Sequence, residues 1–109
     1  MVRPKITLAF AATGTNKSGK IYENGIIRAI VMVVPNFTNA ITVTQIDVID
    51  DDGDTIYTNT TGWAENATHL ITGLTIPVDK EYQVKVTVSG VAGGSGGDVA
   101  VKPYIETVK

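Results

Sequence analysis

Glu81-Tyr82-Gln83-Val84-Lys85-Val86-Thr87-Val88-Ser89 places an apolar side chain at every second position. That period of two belongs to a β-strand with one buried and one wet face. The chain then runs through Gly90-Val91-Ala92-Gly93-Gly94-Ser95-Gly96-Gly97 to a second apolar series, Val99, Val101 and Ile105. Two strands joined by a glycine-rich segment predict a long antiparallel hairpin with a glycine tip, hence an antiparallel sheet with one solvated face.

Working outward, Ile6, Leu8 and Phe10 alternate with Thr7, Ala9 and Ala11, which predicts a first strand ending in an exposed loop from Thr13 to Gly19. Ile26 to Val34 is β-branched on both faces, as in a central strand covered on two sides, until Pro35 removes a ladder donor. Ile41 and Val43 share one phase and Ile46 and Val48 the other, so a bulge is expected near Gln45. Asp50-Asp51-Asp52-Gly53-Asp54 precedes Thr55-Ile56-Tyr57, and Asp-Gly between β-runs signals a hairpin because glycine accepts positive φ. A polar loop from Thr58 to Thr68 carries the single tryptophan, Trp63, and His69 to Leu74 reads as a short strand. The pattern amounts to about seven or eight strands with turn signals at the spacing of an antiparallel β-sandwich. No helical stretch exceeds about two turns.

The chain has 109 residues, enough for one core and too few for two, so a single β-sandwich domain spanning 1–109 is expected. Its longest apolar run, Ala29 to Pro35, falls well short of the roughly 20 residues of a membrane span, and Met1 to Lys5 opens no persuasive secretion signal. Cysteine is absent, which removes disulfides, thiolate metal sites and cysteine nucleophiles. The net charge is −2 and the basic residues are scattered, so neither nucleic acid nor an anionic membrane is an expected partner.

Asp47, Asp50, Asp51, Asp52 and Asp54 invite a calcium reading. The EF-hand spacing fails, with Val48 at the first ligand position and Asn59 at the last, so a solvated hairpin tip is expected and no metal site is assigned. Gly93-Gly94-Ser95-Gly96-Gly97 matches G-x-S-x-G, but a strand follows instead of a helix and the single histidine, His69, precedes it. No catalytic residue and no cofactor is therefore expected. Trp63 has two readings: an exposed indole stacking on a sugar with Tyr57, Asn59 and Asn66 supplying hydrogen bonds, or a lid folded over one open end of the sandwich. Asn-x-Ser/Thr triplets at Asn16, Asn36, Asn59 and Asn66 fit β-turns in a Thr-rich sheet.

Two resemblances extend this reading. Ile71-Thr72-Gly73-Leu74-Thr75-Ile76-Pro77 leading to Tyr82-Gln83-Val84-Lys85-Val86 resembles the E-to-F region of immunoglobulin-like and fibronectin type III sandwiches. It implies a tyrosine corner in which the Tyr82 hydroxyl bonds backbone near Ile76 to Val78. The absence of a third-strand tryptophan and of a cysteine pair keeps a jelly roll open as the alternative. Pro35-Asn36-Phe37-Thr38-Asn39-Ala40-Ile41-Thr42-Val43, Asp51 to Tyr57, and Val86 through the glycine segment to Ile105 resemble small β-sandwich structural proteins of tailed bacteriophages. That likeness implies a non-enzymatic virion protein that decorates a capsid in many copies, with capsid or other virion proteins, or further copies of itself, as partners. The contact candidates are Met1, Val2, Arg3, Pro4 and Lys5, and the glycine tip Gly93, Gly94, Ser95, Gly96 and Gly97, taken as segments that change shape without disturbing the core. A carbohydrate-binding module using Trp63 is the alternative.

Overall fold

A computed structural model describes residues 1–107 and places ten strands among them. They are β1 (Ile6–Phe10), β2 (Asn16–Tyr22), β3 (Gly25–Val34), β4 (Thr42–Ile49), β5 (Thr55–Asn59), β6 (Trp63–Ala64), β7 (Ala67–Ile71), β8 (Ile76–Val78), β9 (Glu81–Val88) and β10 (Gly97–Glu106). One sheet has the order β1-β10-β3-β7 with β8 also on β3; the other has the order β2-β9-β4-β5 with β6 also on β4. All pairings are antiparallel. The inward residues of both sheets, among them Leu8, Ile27, Ile30, Met32, Ile46, Val84, Val86, Val101 and Ile105, form one buried cluster.

Strands β1 to β4 alternate between the sheets, and β9 and β10 do so again, each inserted between earlier strands. This is jelly-roll wiring, so of the two sandwich topologies the sequence leaves open, the jelly roll is the one adopted. The expected β9–β10 hairpin does not exist. β9 lies between β2 and β4 in one sheet, and β10 between β1 and β3 in the other. Alternation fixes which residues face the core, and it carries no information about which strand sits alongside. Ser89 to Gly96 is instead a crossing between two sheets whose faces stand about 10 Å apart.

Other departures have equally local causes. Asn16 to Gly19, expected in a loop, belongs to β2, an edge strand of mostly polar residues held by its ladder to β9 and by one core side chain, Ile21. β3 is covered on one face only: Ile27, Ile30, Met32 and Val34 point inward while Val33 is 43% exposed. Its inward phase slips between Ile27 and Ile30, where β3 carries one extra residue, Arg28, opposite Tyr104/Ile105 of β10. The expected bulge of β4 occurs between Val43 and Gln45. The Asp-Gly hairpin also forms: Gly53 has φ of 87°, and Asp50 Oδ1 accepts the Asp52 and Asp54 amides at 3.1 and 2.9 Å. Asp47 stands apart from that tip, accepting Gln45 Nε2 at 2.9 Å and Thr58 Oγ1 at 2.7 Å on the outer side of its sheet.

Candidate functional site

The sandwich has two chemically different ends. At one, the β2–β3 turn, the β4–β5 hairpin, the β8–β9 turn and the end of β10 come together. Eight of the eleven acidic residues gather there: Glu23, Asp50, Asp51, Asp52, Asp54, Asp79, Glu81 and Glu106. Lys20 pairs with Glu81 and Arg28 with Glu106, each at 2.9 Å; among the described residues the other six carboxylates have no ion pair. The opposite end carries the connections Ala11–Thr15, Pro35–Ile41, Thr60–Gly62 and Ser89–Gly96, built mostly of Thr, Asn, Ser, Gly and Ala.

The two candidate contact segments sit far apart. Val2 exchanges two 2.8 Å hydrogen bonds with Ile105, Arg3 lies 5.0 Å over the Tyr104 ring, and the glycine segment begins β10 opposite Phe10. Eight residues of extended chain, about 26 Å, separate Val2 from Phe10. The glycine segment is tied to its neighbours in this structure. The Gly93 amide donates to Ala12 at 2.8 Å, the Asn39 amide to Ala92 at 2.9 Å and Asn39 Nδ2 to Val91 at 3.0 Å, and Ala92 is fully buried. The expectation that this segment tolerates substitution without touching the core is therefore corrected: the chain crosses between sheets here and packs tightly on Phe10 and Phe37.

Met1 to Lys5 borders a different surface, the outer face of the first sheet. Val31 stands opposite Leu70 on one side and Lys102 on the other, and Val33 opposite Ala100. Leu70 is 63% exposed, and Lys5, Val31, Val33, Ala100 and Lys102 line a shallow depression of about 210 Å³. Arg3, Lys5 and Lys102 give this apolar strip a basic border. Reading β3 as buried on both faces concealed it.

The tryptophan set lies at the edge of the second sheet. Trp63, Asn59 and Tyr57 stand opposite Val43, Ile46 and Val48, all core residues, so their side chains point to the inner face. Trp63 and Tyr57 pack against the core. Asn59 Nδ2 donates to the Tyr57 hydroxyl at 2.9 Å and Asn59 Oδ1 accepts the Thr61 amide at 2.9 Å, so these polar groups bind one another. Asn66 is apart, in a turn at φ of 56° with its amide on Pro35. His69 clips the two sheets together here: its Nε2 lies 2.7 Å from the Ala64 carbonyl, and since a carbonyl only accepts, that nitrogen carries the proton.

Tyr82 is not the expected corner. It is 1% exposed, and its hydroxyl has no hydrogen-bond partner among the described residues. Burial pushes this phenol well above its ordinary ionisation range, and the nearby Glu23 carboxylate adds to the effect. A buried hydroxyl without a partner costs about 1–3 kcal/mol, so Tyr82→Phe should leave stability unchanged or raise it by about 1 kcal/mol. Chemical denaturation checks this; a clear loss would restore a hydrogen bond to Tyr82. The residue helps line a cavity of about 320 Å³ with Asp50, Asp51, Ile56, Pro77, Val78 and Asp79.

No protein-family model matches the chain, and no curated protein matches it in sequence. Solved structures do. The C-terminal domain of a chitobiase from Bacteroides fragilis aligns with 88% of this chain and 67% of its own at 13% identity and a TM-score of 0.53, which supports the β-sandwich fold. TmCBM61, solved with beta-1,4-galactotriose, aligns over 94% of this chain and 70% of its own at 13% identity and a TM-score of 0.48. A protein of infectious bursal disease virus, Gx strain, aligns over 93% of this chain and 32% of its own at 17% identity and a TM-score of 0.39.

Proposed function

We propose that this chain is a non-catalytic virion structural protein, a decoration or accessory protein of a tailed bacteriophage that docks in many copies on the particle. Jelly rolls build viral shells and lectins alike, so the fold leaves the choice to the surface. The observation that carries the reading is the outer face of the first sheet, where Val31, Val33, Leu70 and Ala100 form an apolar strip bordered by Arg3, Lys5 and Lys102. An exposed apolar patch with a polar rim is one form that a protein-binding surface takes. Arg3 and Lys5, from the candidate contact segment Met1 to Lys5, lie on its border. Its counterpart on the shell is a surface with apolar side chains and a surplus of carboxylates.

Repetition on a lattice raises avidity by about 10²–10⁴, so a modest face suffices. Leu70→Glu with Val33→Glu, or Lys5→Glu with Lys102→Glu, should leave unfolding within about 0.5 kcal/mol of the parent, because these side chains point to solvent. Both pairs should abolish co-sedimentation with undecorated capsids. If both variants still co-sediment like the parent, this face is not the contact; if the parent never co-sediments with any particle, the virion reading fails.

A further inference from the structure

A recess of about 410 Å³ opens where β2 turns into β3 and β8 into β9, lined by Tyr22, Glu23, Asn24, Lys80 and Glu81. Its size falls within the range of small-molecule sites, about 300–1,000 Å³. Strand pairing fixes how two of these residues point. Ile21 and Tyr82 stand opposite each other with both side chains in the core, so the next pair, Tyr22 and Glu81, faces outward from the second sheet.

Tyr22 is 68% exposed, more than any other aromatic side chain here. Phe10, Phe37 and Tyr82 are buried, Tyr57 and Trp63 pack against the core, and the Tyr104 ring has Arg3 over it at 5.0 Å. A tyrosine ring left open at a sheet edge offers apolar surface for a ligand to cover and a hydroxyl to bond it. The rest of the recess is held in place. Asn24 Oδ1 accepts the Lys80 amide and so ties the two turns together, and Lys80 keeps φ of 59°, a conformation that a residue with a side chain holds only where its surroundings fix it. Lys20 Nζ holds Glu81 Oε1 at 2.9 Å.

The lining selects a ligand class. Glu23 and Glu81 supply acceptors, the Lys80 ammonium and the Asn24 side-chain amide supply donors, and the two carboxylates are balanced by Lys80 and Lys20. A neutral molecule with a flat C–H face and a ring of hydroxyls meets every part: the face covers Tyr22, and hydroxyls both donate to the carboxylates and accept from Asn24 and Lys80. An anion would meet the field of the carboxylates gathered at this end, and a compact cation would leave the donors of Asn24 and Lys80 unused.

We propose that this recess binds a pyranose ring of a neutral saccharide, stacked on Tyr22 and held through its hydroxyls by Glu23, Asn24, Lys80 and Glu81. The site is separate from the Trp63 set, whose polar groups bind one another. It also lies across the sandwich from the outer face of the first sheet, so it does not rest on the virion reading.

The test is an amide-resolved NMR titration of the full chain with the methyl pyranosides of glucose, galactose, mannose and N-acetylglucosamine, each as both anomers, with methyl glucuronide and tetramethylammonium as charged controls. At least one neutral glycoside should shift the amides of Tyr22 to Asn24 and Lys80 to Glu81 at roughly millimolar concentration, with saturation transfer strongest to the C–H protons of one sugar face. The glucuronide should bind about tenfold more weakly than that glycoside or worse. Tyr22→Ala should abolish the response and Tyr22→Phe should retain it within about threefold, both with the remaining spectrum intact because the ring stands in solvent. The assignment is overturned if no neutral glycoside moves these residues, if Tyr22→Ala binds as well as the parent, or if the glucuronide or tetramethylammonium moves them at lower concentration than every neutral glycoside.

Discussion

Gly96→Ala should destabilise the protein by about 3 kcal/mol or more, lowering the melting temperature by well over about 10 °C for a domain of this size. Two costs act together. Gly96 has φ of 78°, which an L-side chain adopts only under strain, about 1–3 kcal/mol. A Cβ there would also overlap the Phe10 carbonyl oxygen and stand 3.0 Å from the Phe10 carbonyl carbon and 3.2 Å from that of Ala11. All three atoms are backbone, so no rotamer change relieves the overlap; β1 would have to move away from β10. Gly53→Ala separates the two costs. Gly53 has φ of 87° and nothing within 4 Å of an added Cβ, so it should lose only the conformational part, about 1–2 kcal/mol. Equal destabilisation of the two variants, read from denaturant midpoints, would mean that the crossing yields freely.

That contrast also shows what was legible in the sequence. The glycines after Val88 announce a special backbone, and only the structure distinguishes a hairpin tip from a crossing, because pairing partners are set by the whole topology and not by the flanking strands. Where the signal was local, it was sufficient. The phase slip at Gln45 became the bulge between Val43 and Gln45, and Asp50 to Asp54 became a hairpin whose aspartate caps its own turn. β2 has a single buried side chain in seven residues, and its ladder to β9 is what makes Asn16 to Gly19 extended. The site suffered most. Asp79 and Tyr82 lie 29 and 32 residues beyond Asp50 in sequence and join it only because β8, β9 and the β4–β5 hairpin end together. The tyrosine was legible as buried. Its hydroxyl, expected to bond the backbone of Ile76 to Val78, has no such bond, because an E-to-F pattern of some twenty residues matched a different wiring.

Phe37→Ala should cost about 3–5 kcal/mol, the range for deleting a fully buried aromatic ring. Phe37 lies in the connection between β3 and β4, yet it is only 4% exposed and belongs to the core cluster. Its ring meets Phe10 edge-on, with centroids 6.2 Å apart and planes at 75°. Beside it runs Gly97, where an added Cβ would stand 2.8 Å from Phe37 Cε1, so the ring packs over the pair formed by the last residue of β1 and the first of β10. The cavity left by alanine has little means of closing. β1 and β10 are fixed by their ladder, and the amide of Asn39 and its side chain tie the same connection to Ala92 and Val91. Poor collapse places the loss toward the upper part of that range. A double-mutant cycle with Phe10→Leu and Phe37→Leu should return a coupling of about 0.5–1.5 kcal/mol for the edge-on pair. A loss below about 1 kcal/mol for Phe37→Ala would show this end of the sandwich to be soft, and the glycine segment, released from its packing, would again be open to rearrangement on docking.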